Sequence, residues 1–115
     1  MEINSNNDKY IDVDDALARV GGNMALYKRL LGRFVDGNLY EELEKALQKG
    51  DLEESTRQAH SLKGVSANLS LVKVNSLSVE LETLVKNSAD YSLCMAELKQ
   101  AFDITLEKIA ELLSQ

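Results

Sequence analysis

The sequence predicts an all-α protein, an antiparallel four-helix bundle with an additional short N-terminal helix. The 115 residues include no proline, and strong helix formers dominate. Apolar residues recur at helical spacing in successive segments, and no segment alternates strictly between apolar and polar as a half-buried strand does. The segments are joined by short polar or glycine-containing connections, which favour antiparallel neighbours. With 44% hydrophobic residues but only 5% aromatic ones, the core must consist mainly of Leu, Val and Ala.

The first helices are delimited by capping residues and glycines. Asp12 is a good N-cap for a short helix that stops at Gly21-Gly22. Asn23 can cap the next helix, which ends near Gly37. A third amphipathic segment stops at Gly50 and is expected to complete or cover the bundle.

The remaining helices follow the same logic. Asp51 and Glu54 have the spacing of a capping box and begin a helix expected to run to about Asn68. Ser70 is expected to cap the next helix, and residues 87–90 form a plausible turn before the last and longest helix.

Length and charge limit the possible functions. Residues 1–10 are polar and predicted to be flexible, whereas residues 11–115 are expected to form one domain. The net charge is −6, and no segment is both basic and aromatic-rich, which disfavours nucleic-acid and anionic-membrane binding. No apolar run approaches the roughly 20 residues of a membrane span, and no signal peptide is apparent. A single cysteine cannot form an internal disulfide, so a cytoplasmic protein is expected.

The only histidine, His60, lies in the stretch from Arg57 to Ser70. On a helix, three apolar residues of this stretch share one side: Leu62, Val65 and Leu69. His60 lies on the opposite side, together with Lys63, Gly64 and Ala67. A glycine inside a helix costs about 1 kcal/mol relative to alanine, so its position beside an accessible imidazole is unusual.

The run His60-Ser61-Leu62-Lys63-Gly64, preceded by Ala59 and followed by Ala67-Asn68-Leu69, resembles the signature of histidine-containing phosphotransfer (HPt) domains of bacterial multi-step phosphorelays. Residues 11–34 resemble the N-terminal part of such domains, and residues 77–84 resemble the helix that follows the histidine helix. The resemblance covers roughly residues 11–113 and implies the same four-helix architecture.

His60 is the candidate phosphoacceptor. The ring-nitrogen lone pair of a neutral imidazole can attack a phosphoryl group and form a phosphoramidate. The resemblance implies Nε2 as the attacking atom, but the sequence alone does not identify it. Lys63, one helical turn away, can reach the phosphoryl oxygens, where charge disperses in the transition state. The alternatives are a surface histidine without a role and an ordinary solvated lysine.

Partner docking is assigned to the surroundings of His60. The missing side chain of Gly64 would let a bulky partner approach the imidazole, and Ala67 would extend this patch or simply reflect helix propensity. The resemblance implies that the partner is a receiver domain whose phosphoacceptor aspartate lies in an acidic, Mg²⁺-binding pocket. Arg57 could add positive charge to the patch. Three residues of the second helix could supply an apolar rim, although they fit the core better: Leu26, Tyr27 and Leu30.

The resemblance also implies a polar residue on the next helix that holds the second ring nitrogen. Glu82 is the candidate, and Lys86 one turn later is a possible second cation. In the family this residue is commonly Gln. Glu82 departs from that pattern, and its carboxylate would repel a nearby phosphoryl group. The alternative is that both residues belong to a charged, solvated face. Ser70 is a second departure, since many family members have glycine there, and it affects only the local turn.

Other chemistries fail for lack of residues. One histidine and one cysteine, without zinc-ligand or Glu-x-x-His spacing, predict no metal site in this chain. Cys94 begins a helical segment and is expected to pack in the core rather than pair with His60. No Gly-rich phosphate loop is present, so the phosphoryl group must come from a partner.

The predicted function is a phosphotransfer intermediate rather than an enzyme in its own right. It would accept a phosphoryl group on His60 from the receiver domain of a hybrid sensor kinase and pass it to that of a response regulator. No cofactor is expected in this chain, Mg²⁺ is expected in the receiver, and a free-standing monomer is expected. The alternatives are a docking module that is never phosphorylated, a structural adaptor, and a fragment of a hybrid kinase.

Overall fold

The computed structural model describes residues 9–115. These residues form six helices and no strand, which confirms the all-α helical bundle. Of the segment predicted to be flexible, residues 1–8 lie outside the described part of the chain. The helices, in chain order, are α1 (Val13–Arg19), α2 (Met24–Asp36), α3 (Leu39–Lys49), α4 (Leu52–Asn68), α5 (Val72–Lys86) and α6 (Ser92–Leu113).

Three predicted N-caps are confirmed. The side chains of Asp12, Asn23 and Asp51 each accept a hydrogen bond from the backbone N–H three residues later, at 3.0–3.1 Å. Each bond satisfies one of the backbone donors that the first turn of a helix leaves unpaired. The capping box at α4 is only half formed, because the Glu54 carboxylate accepts from side chains further along α4 instead of from the Asp51 N–H.

The predicted cap at Ser70 is wrong. The residue that precedes α5 is Leu71, which provides no side-chain cap. Ser70 instead has a φ of 56°, in the left-handed region that favours glycine, and its hydroxyl donates to Asp15 Oδ2 at 2.6 Å. The left-handed residue ends α4 and turns the chain toward α5.

The N-terminal segment is fastened to this turn by backbone hydrogen bonds. The Asp12 N–H donates to the Ser70 carbonyl at 3.0 Å, and the Val72 N–H donates to the Tyr10 carbonyl at 2.8 Å. Tyr10 also packs against the core. The segment from Tyr10 into α1 therefore fixes the end of the bundle at which α4 gives way to α5.

Helices α4 and α5 form the most extensive interface, with α3 packed on α4 and α6 packed on α5. The short connections between them make these neighbours antiparallel. Thus α3, which the sequence predicts to complete or cover the bundle, is one of its members. Helix α2 packs against α6, where the rings of Phe34 and Phe102 stack with centroids 5.2 Å apart.

Small side chains bring α4 and α5 close together. Ser55, Ala59 and Ser66 on α4 and Ser78 on α5 are all buried. The hydroxyls of Ser66 and Ser78 donate to carbonyls four residues earlier in their own helices, each at 2.7 Å, so the hydroxyl proton of each buried serine is satisfied within its own helix. The packing of α4 on α5 therefore determines how close the facing side chains of the two helices lie.

Replacing Leu81 by alanine should destabilise the bundle strongly. Leu81 is fully buried on α5, and its truncation leaves a cavity, so we expect Leu81→Ala to lower the free energy of unfolding by about 2–5 kcal/mol. Val79→Ala, at an exposed position of the same helix, is the matched control and should change it by less than about 0.5 kcal/mol. Urea denaturation followed by circular dichroism measures both, and equal effects would contradict this packing.

Candidate functional site

The imidazole of His60 projects from the middle of α4 into open space. Its side chain is 65% exposed, while Leu62, two residues later, is fully buried. Gly64 extends this open surface, because a Cβ added there would meet no atom of the described residues within 4 Å. The predicted division of α4 into an apolar side and a histidine side is confirmed, with Val65 only half-buried.

Glu82 on α5 lies directly against the histidine. Its Oε2 is 3.1 Å from His60 Nδ1, and the residue is only 5% exposed. The alternative prediction, that Glu82 belongs to a solvated face, is therefore wrong. The hydrogen bond joins residues on two helices, so the ring orientation depends on how α4 packs against α5.

Two lysines complete the surroundings of the Glu82 carboxylate. Lys63 Nζ lies 2.8 Å from Oε1, and Lys86 Nζ lies 3.2 Å from Oε2. The hydrogen bond from Lys63, supported by those from Lys86 and His60, lowers the pKa of Glu82 to about 2 although burial opposes the shift. The carboxylate is therefore ionised at neutral pH.

The ionised carboxylate determines which ring nitrogen carries the proton. A carboxylate without a proton only accepts hydrogen bonds, so the nitrogen that contacts Oε2 must present an N–H. In neutral His60 the proton is then on Nδ1, and the lone pair is on Nε2, on the far side of the ring from Glu82. The geometry leaves Nε2 as the atom able to act as a nucleophile.

Asn75 supports this site and was not identified from the sequence. Its side-chain amide donates to the Lys63 carbonyl at 2.9 Å and to the Ser66 hydroxyl at 3.3 Å. Asn75, Ser78 and Glu82 follow one another at intervals of three and four residues, so they share the side of α5 that faces α4. Polar residues at helical spacing beside an apolar stripe are the signal that would have revealed this contact.

Two other predicted site residues lie outside this cluster. Arg57 is exposed and pairs with Glu54 of its own helix, and no described contact joins it to the Glu82 cluster. Ala67 is half-buried and lines a cleft of about 190 Å³ that also includes Ser70 and Asn75.

The suggested apolar rim on α2 divides between core and surface. Tyr27 is fully buried, its hydroxyl donates to the Leu69 carbonyl at 2.9 Å, and burial raises the pKa of the phenol to about 12. It is a core residue. Leu26 and Leu30 are half-buried, and Leu30 lines a groove of about 370 Å³ between α2 and α4 that includes Phe34 and Val65.

Cys94 does not belong to the His60 and Glu82 cluster. Cys94 is buried, its thiol donates to the Leu77 carbonyl at 3.5 Å, and burial raises the pKa of the thiol to about 11, so it packs as expected. Residues 9–115 contain no group of three or more His, Cys, Asp or Glu side chains placed to hold a metal ion. Within the same residues, no helix has the length and apolar character needed to cross a membrane.

Comparison with known protein families identifies the part of the chain that holds this cluster. A family model described as "Hpt domain" matches residues 37–115, which contain α3 to α6 and every residue of the His60 and Glu82 cluster. Searches of curated proteins and of solved structures returned no significant match.

Glu82 should make the stability of the protein sensitive to acid. Its pKa in the folded protein, about 2, lies below its ordinary value of 4.5, so its contribution is fully present above about pH 4.5 and is lost as the pH falls toward 2. Between pH 6 and pH 3, the free energy of unfolding measured by urea denaturation should therefore decrease less for Glu82→Gln than for the wild type. Glu80→Gln, an exposed carboxylate on the same helix, is the control and should behave like the wild type.

Proposed function

Because the chain belongs to the Hpt domain family, we propose that it relays a phosphoryl group between receiver-domain aspartates through His60. Hpt domains are phosphotransfer carriers that interact with receiver domains in phosphorelays. The observation that carries the assignment to His60 is its hydrogen bond to the ionised Glu82, which leaves the Nε2 lone pair free on an exposed face.

The transfer needs no proton to leave the ring. The Nε2 lone pair attacks the phosphorus of the aspartyl phosphate, the P–O bond to the aspartate breaks, and its electron pair stays on the released carboxylate. The product is an imidazolium that carries the phosphoryl group on Nε2 and keeps its proton on Nδ1, which still donates a hydrogen bond to Glu82 Oε2. In the reverse reaction a neutral imidazole leaves, so one arrangement of Glu82 serves both directions.

Glu82 does not create the repulsion that a carboxylate at this position suggests. It contacts Nδ1, with the ring between it and the phosphoryl group, and two lysines balance its charge. Lys63, one turn from His60 on the same helix, is the cation that would reach the phosphoryl oxygens. Phosphoryl transfer relies on positioning and electrostatic stabilisation, which these residues provide on this side of the reaction.

The receiver would dock on the surface around Gly64, with Ala67 and Arg57 at its edges. Lys63 and Lys86 against Glu82 leave one positive charge in excess, which complements an acidic pocket although the whole chain carries −6. In this proposal the receiver supplies Mg²⁺ and most of the catalytic groups, and the chain itself holds no cofactor and does not phosphorylate itself from ATP. The proposed partners are the receiver domains of a hybrid sensor kinase and of a response regulator. We propose that the protein acts as a monomer in the cytoplasm.

Replacing His60 should abolish phosphorylation. We expect a phosphorylated receiver with Mg²⁺ to transfer an acid-labile, base-stable phosphate to the wild type and none to His60→Gln, because no other imidazole is present. Circular dichroism should show that the exposed substitution leaves the fold intact. If a panel of receivers, tested in both directions, leaves the folded wild type unlabelled, the protein is a docking module and not a relay.

Gly64→Ala should raise the stability of the protein and hinder docking of the receiver. Since an added Cβ meets no described atom, the variant should gain about 1 kcal/mol of helix stability while transfer from the receiver becomes slower. Gly64→Gln, with a larger side chain, should slow it further. Gly32→Ala on α2 also has free space for its Cβ and is the control, with a similar gain in stability and an unchanged transfer rate. An unchanged rate in both Gly64 variants would show that the receiver does not approach here.

A further inference from the structure

Two lysines share one buried carboxylate beside His60. Lys63 occupies Oε1 of Glu82, while Lys86 and the imidazole occupy Oε2. A single lysine would be enough to balance the charge of a carboxylate. The second lysine is therefore expected to have a role other than balancing the charge of Glu82.

The charges change when His60 carries a phosphoryl group. Before transfer, two lysines and one carboxylate give a net charge of +1 around a neutral ring. A phosphoryl group on Nε2 adds two negative charges, and the imidazolium adds one positive charge, so the cluster becomes neutral. Without one of the lysines, the phosphorylated cluster would carry an excess negative charge next to a buried carboxylate, which is unfavourable.

The positions of the lysines suggest different tasks. Lys63 lies on the same helix as His60, one turn away, and holds the Glu82 oxygen that the ring does not contact. Lys86 lies on the same helix as Glu82, four residues away, and is 58% exposed. Because α4 and α5 are antiparallel, the two lysines approach Glu82 from opposite directions along the interface. Lys63 can turn toward the phosphoryl group while Lys86 stays on the carboxylate.

We propose that Lys86 is a positioning residue that keeps Glu82 paired while Lys63 moves from the carboxylate to the phosphoryl oxygens on His60. Lys86 acts through Glu82 and does not touch the phosphoryl group. This inference rests on the proposed phosphorylation of His60. Arg57, one turn before His60 on α4, pairs with Glu54 of its own helix and takes no part in the exchange.

A double-mutant cycle tests the proposal. The rate of phosphorylation of His60 is measured with phosphoramidate, a small donor that needs no receiver, in Lys86→Met, Glu82→Gln and the double variant. In Lys86→Met the carboxylate keeps Lys63, so we expect phosphorylation about tenfold slower than in the wild type. Glutamine carries no charge and releases Lys63, so Lys86→Met should have no further effect in the Glu82→Gln background.

Three further variants exclude simpler explanations. Lys63→Met should slow the reaction in both backgrounds, because Lys63 acts on the phosphoryl group directly. Lys86→Arg should restore the wild-type rate, since it keeps a cation within reach of Glu82. Lys73→Met removes the same charge from an exposed position of α5 and should leave the rate unchanged.

The outcomes are distinct. If Lys86→Met slows phosphorylation equally in both backgrounds, Lys86 contacts the phosphoryl group itself and the proposal is wrong. An unchanged rate in Lys86→Met alone also overturns it. If phosphoramidate phosphorylates His60 and the cycle behaves as expected but no receiver transfers, the relay function fails while the exchange of Lys63 stands. A wild-type protein that phosphoramidate cannot label on His60 overturns both.

Discussion

The hydrogen bonds from three surrounding N–H groups keep the pKa of the buried Glu82 carboxyl below its ordinary value, although burial acts in the opposite direction. Lys63, Lys86 and His60 supply these groups from both sides of the α4–α5 interface. Removing water from a charge is costly unless partners replace it, so the cluster requires a fixed distance between the two helices. In return, the carboxylate holds the proton on Nδ1 and leaves the lone pair on Nε2. The chemistry of the exposed ring thus depends on a buried charge.

The distance between the helices is set by side chains that carry out no chemistry. Buried serines and an alanine let α4 and α5 approach, and Asn75 ties the backbone at Lys63 to α5. At one end of the interface, left-handed Ser70 and the backbone bonds to Tyr10 and Asp12 fix the turn. These contacts hold α4, which carries His60, against α5 and the N-terminal segment, so the position of the imidazole depends on all of them.

The buried Glu82 carboxylate lies beside an exposed surface formed by His60 and Gly64. No side chain of the described residues covers the region above Gly64, and the imidazole is more exposed than either lysine beside it. In the proposed relay, the receiver that docks on this open face would exclude water and supply the remaining catalytic groups. The match to the Hpt domain family agrees with this division of work between two proteins.

The sequence by itself determined the all-α fold, three of the helix caps, the ends of α4 and the exposed face of His60, because helical periodicity and capping depend on residues close in the chain. It also singled out Glu82 and Lys86, through resemblance to a family. Only the tertiary structure decided that Glu82 is buried, that Lys63 and His60 of α4 bind it and that Ser70 turns the chain instead of capping α5. Those features arise between residues up to 55 positions apart, where packing and not local pattern sets the contacts.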